Sequence, residues 1–192
     1  MSRKAFFILG LATLFGFSLI GAIILHYYMG LSLWEALQIG QGWELQLLVG
    51  FAYGMITSIL AWELIKMDFL ASTRNFFSEL IQELKLNDIE ILFISFCAGV
   101  GEEILFRGGI QPFMGIWLTS VVFVAIHGYL NPKNWQLSIY GVYMCLVIVG
   151  IGYFCIQIGL ISCIVAHFTI DVYLLMRLNS YKVPTSSSEQ TL

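Results

Sequence analysis

Residues 89–130 read IEILFISFCAGVGEEILFRGGIQPFMGIWLTSVVFVAIHGYL, and how this stretch is arranged decides the fold. It is apolar throughout and long enough for two helical passages of a bilayer core about 30 Å thick. Yet it carries Glu102, Glu103 and Arg107 near its middle and His127 close to its end. Gly115 divides it, and a hairpin there makes two spans, Ile89–Met114 and Ile116–Leu130, the second short. Glu102 lies thirteen residues before Gly115 and His127 twelve after it. At 1.5 Å per helical residue both then sit about 18–20 Å from the turn, at one depth.

The rest of the chain agrees with a membrane fold. Of 192 residues, 59% are hydrophobic and only 11% are charged, too few to cover a water-facing surface. The net charge of −3 gives no case for a nucleic-acid partner. Further apolar runs occupy Ala5–Leu25, Leu45–Trp62, Trp135–Ile158 and Leu160–Met176. The first follows Arg3 and Lys4 and is longer than a signal-peptide core, so it reads as a retained span. Eight of the nine Lys and Arg residues lie on one side if both termini are cytoplasmic, and the loop from His26 to Glu44 has none. Tyr27, Tyr28, Trp34, Trp43 and Trp117 would ring the outer face, and Trp62, Tyr129 and Trp135 the inner one.

Between the second and third spans, Phe69, Leu70, Thr73, Phe76, Phe77, Leu80, Ile81 and Leu84 recur at helical spacing among charges. This predicts an amphipathic helix lying at the interface. Asn87-Asp88 end it and cap the third span. The reading is all-α: a polytopic transmembrane bundle of about six spans in the cell membrane, with an amphipathic interfacial helix and both termini cytoplasmic. One domain fills residues 1–182, with its chemistry in residues 89–176. The Ser-rich tail 183–192 reads as disordered. Cys97, Cys145, Cys155 and Cys163 lie in apolar runs without metal-finger spacing and read as small buried hydrophobes.

Ionisable groups are costly inside a bilayer, so they are candidates for function. Glu103 and Arg107 stand four apart in the favoured order for an ion pair. Glu102, one position earlier, points about 100° away and is free to face a cavity. Phe123 and His127 share a face, as do His167 and Asp171. If the last two spans turn near Gly159, His167 lies about 12 Å and Asp171 about 18 Å from that turn. Three spans then bring polar groups to one level. Taken singly, each would also serve as helix-to-helix packing glue.

Glu102-Glu103-Ile104-Leu105-Phe106-Arg107 resembles the EExxxR motif of the CAAX protease and bacteriocin-processing (CPBP, or Abi) family, which includes the type II CAAX prenyl endopeptidases. Phe123–His127 matches its FxxxH motif, and His167–Asp171 its HxxxN or HxxxD motif, in the same order. The resemblance implies an intramembrane endopeptidase. Glu102 would be the general base that activates water, assisted by His127. His167 and Asp171 would bind the carbonyl oxygen or its developing oxyanion. Glu103, Arg107 and Phe123 would support the site. Many members carry Asn at the position of Asp171, and an ionised Asp cannot donate to an oxyanion. Asp171 must then be protonated or orient His167.

This chemistry requires no cofactor. Two His and a Glu would also accept a divalent metal such as zinc, though no HExxH is present. The implied partners are a peptide, peptide-precursor or membrane-protein substrate and the lipid bilayer. Two other readings stay open. A catalytically silent scaffold or bacteriocin-immunity protein would keep the motifs for packing. A proton-conducting transporter would use Glu and His as a relay, but no internal repeat or paired broken helix is visible.

Overall fold

The computed structural model describes residues 2–183, so most of the proposed tail, residues 184–192, lies outside the described residues. Among them the chain is helical, without strands. The helices are α1 (Arg3–Met29), α2 (Leu33–Gln38), α3 (Trp43–Ile65), α4 (Ala71–Glu83), α5 (Asp88–Ile126), α6 (Trp135–Gln157) and α7 (Leu160–Ser180). Five of these, α1, α3, α5, α6 and α7, are long and apolar enough to cross a membrane, rather than six. The protein is a multi-pass membrane protein.

The difference lies in α5, which bends back on itself at Gly115. There the backbone takes φ 71° and ψ 168°, a region essentially closed to side-chain-bearing residues. The fold-back is measured by its ends. Glu102 and His127 would be about 37 Å apart on a straight helix, but their side chains stand 3.4 Å apart. The returning limb, residues 116–126, stops at Ile126 instead of Leu130. Eleven residues span only about 16 Å, so this limb is too short to cross.

The start of α1 and the end of α7 lie at one end of the bundle. Arg3 pairs with Glu90 at the start of α5, and Phe6 and Phe7 of α1 and Leu175 and Met176 of α7 all pack against one cluster of Leu84, Leu86 and Ile91. Asn87 caps α5 with a full capping box to Glu90, as its sequence predicts. α4 lies across the same end. Its Gln82 donates to the carbonyls of Leu178 and Tyr181, and Arg74 sits 4.8 Å over the Tyr181 ring. Phe76 and Leu80 remain exposed, as expected of a helix at the interface.

The tightest seam joins α3 to α7. Gly50 and Gly54, a G-x-x-x-G pair, let the two backbones approach. A Cβ at Gly50 would come 2.5 Å from the Ser162 carbonyl oxygen, and one at Gly54 would come 2.7 Å from that of Ala166. The seam is finished by Gln46, only 1% exposed. Its Oε1 accepts from the Ile161 N–H at the start of α7, and its Nε2 donates to the Gln41 carbonyl. This satisfies a helix-end donor that lipid could not. α6 is tied to α3 by Tyr53 donating to the Val147 carbonyl and Tyr143 donating to that of Thr57.

Tyr27, Tyr28, Trp34, Trp43 and Trp117 are all exposed. The inner ring is not as expected. Trp135 is exposed, but Trp62 is buried in the core and Tyr129 turns inward. Cys97 and Cys163 are buried, and all four cysteines are free thiols.

Candidate active site

The EExxxR stretch does not continue as a plain α-helix. After Glu103 the backbone widens into a π-helical segment, Ile104–Ile110, before returning to α geometry at Gln111. Such segments are rare, and they are frequent at functional sites. α1 has a second one at Thr13–Phe17 that packs on α5.

Glu103 and Arg107 are fully buried and paired, with Arg107 Nε donating to Glu103 Oε2 at 3.0 Å. Glu103 also accepts at Oε1 from His167 Nδ1, 2.8 Å away. On the other side Arg107 Nη1 donates to Gln111 Oε1, whose Nε2 donates to the Gly152 carbonyl. A buried polar chain therefore runs from His167 through Glu103, Arg107 and Gln111 to the backbone of α6. Removing one partner of such a buried pair typically costs about 3–5 kcal/mol, because the other charge is stranded. Arg107 also stands 5.6 Å over the Phe123 ring.

Glu102 points elsewhere. It lines a cavity of about 100 Å³ together with Phe123, His127, Tyr129, His167, Asp171 and the apolar side chains of α5, α6 and α7. Glu102 Oε2 is buried and makes no direct hydrogen bond. It stands 3.4 Å from His127 Nε2 and 3.9 Å from His167 Nε2. These separations are beyond a good direct bond, and they suit groups that share a third polar atom between them.

Each imidazole is held by its other nitrogen. His127 Nδ1 lies 2.7 Å from the Phe123 carbonyl, which only accepts, so Nδ1 carries a hydrogen and Nε2 faces Glu102. The Phe123 ring stacks under the His127 ring at 4.4 Å and meets His167 edge-on at 5.7 Å. One aromatic ring thus spaces both imidazoles. Asp171 Oδ2 stands 3.6 Å from His167 Nε2, one turn along α7. The His127 and Asp171 side chains are about one-third exposed, so the cavity opens on their side.

The structure therefore brings Glu102, His127, His167 and Asp171 to one cavity that Phe123 also lines, with Glu103 and Arg107 directly behind them. Gln111 and Tyr129 belong to this arrangement and were not among the motif residues. A polar residue four positions after Arg107 inside a span was the signal for Gln111. Among the described residues, no group of three or more His, Cys, Asp or Glu side chains is arranged to hold a metal ion.

Neither a curated protein nor a solved structure matches the chain. A family model, described as type II CAAX prenyl endopeptidase Rce1-like, matches residues 87–173, from the Asn87 cap to two residues beyond Asp171. Every motif side chain of the cavity falls within it. This site-bearing stretch, a little under half of the chain, is similar to the Rce1-like family of CAAX proteases.

Proposed function

We propose that the protein is an intramembrane endopeptidase that hydrolyses a peptide or peptide-precursor substrate with a water activated by Glu102. The observation that carries this is the bare Oε2 of Glu102, buried between two imidazole nitrogens at 3.4 and 3.9 Å. A carboxylate so placed has no structural task, since its neighbour Glu103 already makes the ion pair.

In this reading Glu102 takes a proton from water while His127 Nε2 orients that water. The hydroxide oxygen bonds to the scissile carbonyl carbon, and the carbonyl π electrons move onto its oxygen. A proton carried at His167 Nε2 faces that oxyanion, and the fixed bond from Nδ1 to Glu103 keeps the ring from turning. The C–N bond then breaks, and the proton held by Glu102 passes to the leaving amine. Asp171 orients His167 from the far side of Nε2. The reaction uses no metal.

The test uses purified protein in nanodiscs and two fluorogenic peptides, one ending in a farnesylated CAAX sequence and one unmodified. Comparative peptidomics of membranes carrying wild type or Glu102→Ala covers other substrates. Wild type is expected to cleave, unaffected by a chelator such as 1,10-phenanthroline. Glu102→Ala and His127→Ala are expected to be inactive yet folded. Normal processing by Glu102→Ala would overturn the assignment.

A further inference from the structure

The short limb of α5 ends in a reversal that has a chemical consequence. Gly128 takes φ +77°, a left-handed conformation. The Gly128 N–H donates to the Ala125 carbonyl at 3.0 Å, and the Tyr129 N–H reaches back to that of Val124 at 3.3 Å. The second bond, closing over five residues, is the mark of a Schellman helix end. It turns the chain back over the last helical turn instead of letting it run outward. α6 makes room for this: a Cβ at Gly141 would stand 2.6 Å from the Tyr129 carbonyl oxygen. The Tyr129 ring lies near-parallel to that of His127, 6.5 Å away, and packs 5.8 Å from both Phe77 and Tyr140. Tyr129 thereby lines the Glu102 cavity.

We infer that Tyr129 is a further catalytic residue, whose O–H donates a hydrogen bond to the oxyanion formed at the scissile carbonyl. The inference rests on the endopeptidase reading above. It follows from counting donors around the cavity. His127 Nδ1 is committed to a backbone carbonyl and its Nε2 faces Glu102. His167 Nδ1 is committed to Glu103, so His167 can offer the oxyanion one donor, Nε2, and a second must come from elsewhere. An ionised Asp171 has nothing to donate. Among the described residues, Tyr129 is the one cavity-lining side chain with a neutral hydroxyl. A phenol, with an ordinary pKa near 10, keeps its proton at neutral pH and lends it without giving it up. The proton count of the reaction is unchanged: one proton leaves water for Glu102 and ends on the amine.

The experiment compares wild type, Glu102→Ala and Tyr129→Phe in nanodiscs, on the farnesylated fluorogenic peptide and by membrane peptidomics. Tyr129→Phe removes one oxygen and keeps the ring packing. It is expected to lower kcat by about 10²-fold, the scale of one lost oxyanion donor, with KM and thermal midpoint unchanged. Wild-type kcat in Tyr129→Phe, with Glu102→Ala inactive, would overturn the role of Tyr129 alone. So would a loss that appears in KM or in the midpoint rather than in kcat. Wild-type turnover by Glu102→Ala, or no turnover by wild type in either assay, would remove the endopeptidase reading and this inference together.

Discussion

His167 and Glu103 are joined by a 2.8 Å hydrogen bond between Nδ1 and Oε1, across two helices and out of reach of water. The same carboxylate holds Arg107 through its other oxygen. Glu103 thus spends both oxygens on structure, while Glu102 beside it makes no direct bond at Oε2.

The two neighbouring acids should therefore fail differently. Glu103→Ala strands Arg107 in the interior and is expected to cost about 3–5 kcal/mol. Glu102→Ala should leave the thermal midpoint nearly unchanged. Unfolding of both variants in one detergent, followed by intrinsic fluorescence, checks the contrast. A Glu103→Ala variant as stable as wild type would show that the buried chain does not hold the fold.

The tautomer of His127 follows from its acceptor. A neutral His127 must carry its hydrogen on Nδ1, because the Phe123 carbonyl 2.7 Å away cannot donate. Imidazole ¹⁵N shifts in selectively labelled protein at alkaline pH should show a protonated Nδ1 and a bare Nε2. The opposite pattern would mean that the ring is turned and that Nε2 does not face Glu102.

Asp171 fills the last position of the HxxxN or HxxxD pattern. Asp171→Asn adds N–H donors beside His167 Nε2, so its kcat/KM on the fluorogenic peptide should match or exceed the wild-type value. Asp171→Leu removes every polar contact to that nitrogen and should cost about 10²-fold. Equal activity in Asp171→Leu and wild type would remove Asp171 from the site.

The elbow in α5 depends on one backbone conformation. Gly115→Ala forces a side chain into the region near φ 71°, ψ 168°, at a cost of about 1–3 kcal/mol. No atom stands where the new methyl would go, so crowding adds nothing. The loss should therefore appear in the denaturation midpoint, and an unchanged midpoint would place the bend elsewhere.

Much of this was legible from residue spacing, and the parts that were not have identifiable reasons. The hairpin at Gly115 and the common depth of Glu102 and His127 followed from counting residues at 1.5 Å each. The end of the short limb did not, because Gly128-Tyr129-Leu130 reads as apolar as the residues before it. There the left-handed Gly128 decides, and hydropathy does not register backbone conformation. Tyr129 passed for an interfacial aromatic for the same reason, although a glycine just before it was the available hint. Trp62 likewise looked like a belt residue, but it meets Tyr181 in the core. The π-helical Ile104–Ile110 has no pattern of its own, since widening one turn changes which side chains meet without changing their order.

The glycine seam between α3 and α7 has a practical meaning for anyone seeking a minimal enzyme. Half of the polar constellation rides on α7, and the surface that fixes α7 in height and rotation belongs to α3, upstream of the family-matched stretch. A fragment cut to residues 87–173 would carry every motif residue of the cavity and lack the rail that aligns them. The opening third of the chain, plain in chemistry, is what turns three motifs into a single instrument.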